Sequence, residues 1–287
     1  MRTSVMNLLL ANLALADVLF LSTHSFTWFP RLFYQTFHWY LPKQLCPAIP
    51  YLVFSSVFVS ILTYLTIALE RYIAIENIVL LIVALWIFVF VYEAPNAFLF
   101  KGFATRNRTK WMCAIRTKSI WVNTFKWSEV VITYFVPILL SGLLYTKICR
   151  VLWFKDDLIH RNDQKNTANV SAAANTKVGK RKEDSRRSVV KMMIICVSIF
   201  FLCYTPMVFN YVFAAIIGKG FSFEFNLVIV LLSLGCSACN PFIYSVFSEK
   251  FRARIFKMFP FCVPISNKVK TAVETAQKKI TLPTLDF

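Results

Sequence analysis

Three stretches of this chain contain no charged residue: Pro47 to Leu69 is 23 residues long, Met192 to Gly218 is 27 and Phe225 to Ser248 is 24. As helices rising about 1.5 Å per residue, each crosses roughly 30 Å of hydrocarbon. Lipid offers backbone amides no partner, so such segments must be helices or strands of a closed barrel, and runs this continuously apolar lack a barrel's period of two. Three further runs are less uniform: Val5 to Trp28 carries only Asp17, Ile78 to Tyr92 is 15 residues ending near Glu93 and Pro95, and Val130 to Thr146 is 17. Six spans are therefore expected, at about 4–29, 46–75, 78–100, 128–154, 186–217 and 224–247, in one helical membrane domain 1–259 with a tail at 260–287. A composition of 57% apolar and 16% charged residues agrees, lying outside the range of ordinary soluble domains.

Basic residues near the span ends set the orientation. The polar segment between Lys147 and Lys191 includes Arg150, Lys155, Arg161, Lys165, Lys177, Lys180, Arg181, Lys182, Arg186 and Arg187, so it is expected in the cytoplasm, with its middle, about 156–184, disordered. After Ser248, Phe251, Ile255 and Phe259 recur every four residues among Lys250, Arg252, Arg254 and Lys257, which reads as an amphipathic helix at 248–259 lying on the inner leaflet. Span counting puts the segment between Pro95 and Glu129 outside, although it carries Lys101, Arg106, Arg108, Lys110, Arg116, Lys118 and Lys126. Those charges are either a solvated loop or a field that steers an acidic ligand or free carboxylate to a pocket. Of the eight cysteines, Cys149, Cys196, Cys203, Cys236 and Cys239 fall in or beside spans as small packing residues. No metal-spaced Cys/His cluster or glycine-rich phosphate loop is present, so neither an enzyme nor a nucleic-acid partner is expected.

Several constellations carry more meaning. Asn12-Leu-Ala-Leu-Ala-Asp17 sets a carboxylate in mid-span, where an unpaired charge costs at least about 2.5 to 3.5 kcal/mol, so Asp17 needs a partner or a function. One run ends in Glu70-Arg71-Tyr72, with Cys46 25 residues before Arg71 and Trp39 seven before the cysteine. Cys203-Tyr204-Thr-Pro206 and Asn240-Pro241-Phe-Ile-Tyr244 break the last two spans with proline, which removes a helical hydrogen bond and marks a kink. In this order, with Trp86 and with Pro137 ahead of Tyr145, these blocks resemble the second to seventh helices of a rhodopsin-like (class A) G-protein-coupled receptor over about residues 1–260.

The resemblance implies a rhodopsin-like all-α bundle with six of the usual seven helices, a disulfide between Cys46 and Cys113, and a polar cluster of Asp17, Ser60, Ser237 and Asn240 that holds an allosteric sodium ion. Cys236 stands where that cluster often has asparagine. It implies an activation switch of Pro137, Ile61, Phe200, Tyr204, Pro206, Pro241 and Tyr244, with Tyr204 replacing the more usual tryptophan. Glu70, Arg71, Tyr72 and Tyr145 would couple to the G protein, and because Arg186 occupies the usual place of an acid, Glu70 is the expected partner of Arg71. Val53 stands where amine receptors keep an aspartate and Leu234 where opsins keep the retinal lysine, which argues against both ligand classes.

A neuropeptide ligand is then the expectation, with Trp39, Val53, Glu129 and Tyr211 as pocket residues, a heterotrimeric G protein and arrestin as partners, and the plasma membrane as location. Asn107-Arg-Thr109 is a glycosylation sequon in the outer loop, and Cys262 after the amphipathic stretch is a palmitoylation candidate. Two departures from the family stand out: Met1-Arg2-Thr3 begins at the second helix, which places both termini in the cytoplasm, and Glu76-Asn77 replaces most of the second cytoplasmic loop. They suggest a fragment or a short isoform of a longer receptor that traps the full-length form. A six-span channel, a transporter or an intramembrane protease is the remote alternative, lacking a filter loop, an internal repeat and a serine–histidine pair respectively.

Overall fold

The structure is a computed structural model that describes residues 2–73, 77–105, 110–115, 119–165, 170–217 and 221–247, without the side chains of 2–4, 152–186, 189 and 245–247. The expected six spans all form helices: α1 (Arg2–Tyr34), α2 (Leu45–Tyr72), α3 (Ile78–Leu99), α4 (Ile120–Val130) continuing into α5 (Val136–Lys165), α6 (Val170–Ile217) and α7 (Phe223–Phe247). Each contains a stretch long and apolar enough to cross a bilayer. Large apolar side chains such as Leu80, Val91, Phe98, Trp121, Leu139 and Leu202 stay exposed, as a lipid-facing surface requires. α1 ends where Gln35 adopts a left-handed φ of 47°.

Within residues 1–241, α2 is the central helix, packed against α1, α3, α5 and α6. Its buried face carries Ser55, Ser56, Ser60, Thr63 and Thr66, short side chains that let neighbouring helices approach closely. The Thr63 and Thr66 hydroxyls return their protons to the backbone oxygens of Val59 and Leu62, at 2.7 and 2.8 Å. Asn12 ties three helices together: its Nδ2 donates to Thr63 Oγ1 at 2.8 Å, and its Oδ1 accepts from Trp86 Nε1 at 2.8 Å. Trp86→Phe strands that buried oxygen and is expected to destabilise the bundle by about 1 kcal/mol, measurable as a lowered unfolding temperature in detergent.

Two differences from expectation concern helix ends. The segment expected to be disordered, 156–184, is largely helical, α5 running on to Lys165 and α6 starting at Val170. Poverty in apolar residues predicts a failure to pack, but Lys, Arg, Gln and the Ala172 to Ala174 run have high intrinsic helix propensity beside helices already nucleated. The fourth span begins at Ile120 rather than about 128, because Ser119 caps it, its Oγ accepting from the Val122 amide at 3.3 Å. Between α4 and α5, Val131–Phe135 forms a single π-helical turn just before Pro137, whose ring cannot donate the regular helical bond.

The outer loop adds an antiparallel hairpin, β1 (Phe100–Ala104) and β2 (Trp111–Ile115), with Gly102 opposite Cys113. A Cβ at Gly102 would come within 2.8 Å of Lys43 Cγ, so glycine lets that side chain cross the hairpin. Lys43 Nζ then sits 4.7 Å from the Trp111 ring centre. The disulfide between Cys46 and Cys113 is formed, with Cα atoms 5.6 Å apart, tying β2 to the start of α2. Beyond Pro241 the described residues are 242–247, the end of α7, with Tyr244 buried. Asn107, Cys262 and the amphipathic stretch 248–259 lie outside the described residues.

Candidate functional site

An inner cavity of about 150 Å³ opens among the helices, walled by α1, α2, α4, the π turn, α6 and α7. Val53, Glu129 and Tyr211 line it as expected, together with Ile61, Phe200 and Tyr204. Trp39 does not. Its amide donates to the Trp111 oxygen at 2.7 Å, its indole Nε1 donates to the Pro42 oxygen at 3.2 Å, and the Arg31 guanidinium lies 5.9 Å from its ring centre, so it anchors the hairpin. A wider outer cavity of about 700 Å³ shares Phe54, Lys126 and Tyr211 with the inner one. Phe100 and Ile115 of the disulfide-tethered hairpin supply part of its wall.

Lys126 corrects an expectation. Span counting places it among the outer-loop charges, whether solvated or steering a ligand, yet the early start of α4 carries it inward, where it is 8% exposed. Its Nζ donates to Glu129 Oε2 at 2.7 Å and to Asn96 Oδ1 at 2.6 Å, and it lies 4.4 Å from the Phe54 ring centre. Asn96 Nδ2 in turn donates to Glu93 Oε2 at 2.5 Å. Glu93, Asn96, Lys126 and Glu129 thus form one buried network across α3 and α4, which reading the sequence by spans missed. The available signal was the i,i+3 spacing of Lys126 and Glu129 on a helix with a serine cap.

Deeper in the bundle, Asp17 finds the partner its burial demands: Asn240 Nδ2 donates to Asp17 Oδ2 at 2.7 Å, and Tyr64 Oη donates to Asn240 Oδ1 at 3.0 Å. Ser60, Ser237 and Cys236 are buried as well. Tyr64 was not anticipated, being one of several tyrosines with no sequence neighbour to mark it. Ile61, Phe200 and Tyr204 come together at the cavity wall, with the Phe200 and Tyr204 rings stacked at 4.4 Å and Tyr64 5.6 Å from Phe200. The π turn aims Tyr134 at α6, its hydroxyl 2.6 Å from Thr205 Oγ1, one residue before Pro206.

Near the expected cytoplasmic face, Arg71 Nη2 pairs with Glu70 Oε2 at 2.8 Å, as expected. The pair is well shielded, Glu70 being 2% exposed and Arg71 17%. Tyr145 is buried and Tyr72 exposed. The Arg186 side chain lies outside the described ones.

Six membrane-spanning helices among the described residues, a disulfide-pinned hairpin, two adjoining cavities and a buried Asp–Asn pair make the architecture of a transmembrane receptor. Its sequence matches the family described as "7 transmembrane receptor (rhodopsin family)" over residues 1–244, and the chain belongs to that family. It is 31% identical to Neuropeptide receptor 15 of Caenorhabditis elegans, an alignment covering 100% of this chain and 89% of that protein. It is 27% identical to the Substance-P receptor of Cavia porcellus, covering 93% of this chain and 65% of that receptor. Squid rhodopsin, whose crystal structure matches with a TM-score of 0.72 over 91% of this chain and 72% of that one, is 18% identical and shares the fold. The protein is therefore a multi-pass plasma-membrane receptor of the rhodopsin family.

Proposed function

We propose that this receptor binds an extracellular peptide and passes the binding event to a heterotrimeric G protein. The observation that supports it most is the pair of cavities that share Phe54, Lys126 and Tyr211 as lining. The inner one, about 150 Å³, suits a single side chain, and the outer one, about 700 Å³, accommodates several residues of a bound chain. The resemblance to two peptide receptors points the same way. Lys101 and Lys110 on the hairpin stay exposed outside the cavity, where they attract acidic residues in the body of a ligand.

Cells expressing the chain with an epitope inserted at 106–109 test the reading through surface staining and calcium or cyclic-AMP responses to a neuropeptide library. A peptide that elicits a response in stained cells supports it, and stained cells silent to the whole library overturn it. Cys113→Ser releases the hairpin and removes a cross-link spanning 67 residues, so surface staining is expected to fall sharply. If the Glu70–Arg71 pair holds the resting state, Glu70→Gln raises ligand-independent signalling several-fold, read as basal cyclic AMP or calcium.

Sodium is proposed as an allosteric ligand of the buried cluster. The donor set fits, with one carboxylate, two buried serine hydroxyls and the Asn240 amide within it. Asp17 would supply the charge and Ser60 and Ser237 neutral oxygens, favouring the resting packing. Raising sodium against a choline control should stabilise the wild-type protein to heat and leave Asp17→Asn unchanged.

A further inference from the structure

We propose that the ligand presents a cationic group, a guanidinium or ammonium, to Glu129, and that Lys126 is then handed from Glu129 to Glu93. This rests on the peptide-receptor reading and deepens it by naming the chemistry of the group that enters the inner cavity.

The network contains two carboxylates and one ammonium. Glu93 and Asn96 are fully buried, and Lys126 and Glu129 are 8% and 6% exposed. Lys126 already donates to two oxygens and faces the rings of Phe54 and Phe100, at 4.4 and 5.5 Å from their centres. Little of its donor capacity remains for a ligand anion, which would also meet Glu129 beside it. Glu93 Oε2 accepts from Asn96, but Glu93 Oε1 is buried with no hydrogen-bond partner. The site sets two carboxyl groups against one ammonium and has an unused acceptor.

Position decides which carboxylate the ligand reaches. Glu129 lines the inner cavity, Lys126 lines both chambers, and Glu93 lines neither. A cation entering through the outer cavity passes the aromatic faces of Phe54 and Tyr211, which attract positive charge, and arrives at Glu129. It then takes over the carboxylate that holds Lys126. Asn96 bonds to both Lys126 and Glu93, so the ammonium is already one hydrogen-bonded residue from its second partner. After the transfer each carboxylate has its own cation, which removes the cost of a buried, incompletely paired charge. Glu93 and Asn96 belong to α3, Lys126 and Glu129 to α4. Moving Lys126 towards Glu93 therefore draws those helices together, and the ligand biases one helix packing over another.

The test uses the full chain in detergent with two probes of nearly equal size, argininamide and uncharged citrullinamide, following unfolding temperature against probe concentration. Argininamide should stabilise the protein at concentrations at least about tenfold lower than citrullinamide. Glu129→Gln should erase that preference, and Glu93→Gln should weaken argininamide because Lys126 has no second carboxylate to move to. Should Glu129→Gln fail to fold, the double variant Lys126→Met/Glu129→Gln, which likewise lacks the carboxylate lining the inner cavity, must show no preference. Equal response to the two probes, or a preference that survives removal of Glu129, overturns the cation site; an argininamide response untouched by Glu93→Gln overturns the handover. Neither probe is a peptide, so a peptide screen without a hit would reject the peptide reading while leaving this result to stand by itself.

Discussion

Lys126→Met is expected to lower stability by about 3–5 kcal/mol, seen as a large fall in unfolding temperature in detergent, because it leaves Glu129 and Glu93 buried without their cation. Methionine keeps the length and apolar stem of lysine, so lost packing against Phe54 contributes little and the charge accounts for the effect. The double variant Lys126→Met/Glu129→Gln should recover the part of the loss that comes from Glu129, since the glutamine needs no countercharge, while Glu93 still lacks its cation. A double-mutant cycle isolates the coupling, and a double variant no better than the single would show that Lys126 matters for shape alone.

At the centre of the bundle, Asn240→Ala should be the more damaging of two substitutions at the Asp17 pair. It removes the amide that donates to Asp17 at 2.7 Å and the oxygen that accepts from Tyr64 at 3.0 Å, stranding a carboxylate and a hydroxyl together. The expected cost is about 3–5 kcal/mol, the range for breaking a buried charged interaction from one side. Asp17→Asn keeps the shape and an acceptor oxygen while removing the charge, so it should be nearly neutral or mildly stabilising. The opposite order in thermal unfolding would mean that Asp17 is held by groups other than Asn240.

Much of the architecture was legible because hydrocarbon is an unforgiving solvent. Uncharged runs such as Met192 to Gly218 have no alternative to a helix, so six spans follow from counting. The demand that Asp17 have a partner also came from the sequence, on energetic grounds, and the Cys46 to Cys113 bridge and the Glu70 to Arg71 pair came from the family resemblance. Helix ends were harder to read. Water satisfies backbone groups outside the bilayer, so residues 156–165 and 170–184 follow local propensity, which a disorder argument from composition overlooks.

The sequence by itself determined the class of protein and its spans, since motifs are read along the chain and a span depends on the solvent around a segment, neither on contacts across the fold. Only the tertiary structure decided which polar residues meet: Tyr64 on Asn240, Tyr134 on Thr205, and Lys126 between Glu129 and Asn96. It also decided that Trp39 anchors the hairpin while Phe54 and Lys126 divide the cavity. The physical reason is that a side chain's burial and partners depend on the rotation of its helix against its neighbours. Lys126 entered the core because Ser119 started α4 early, extending the helix over a residue that composition and hydropathy assign to the loop.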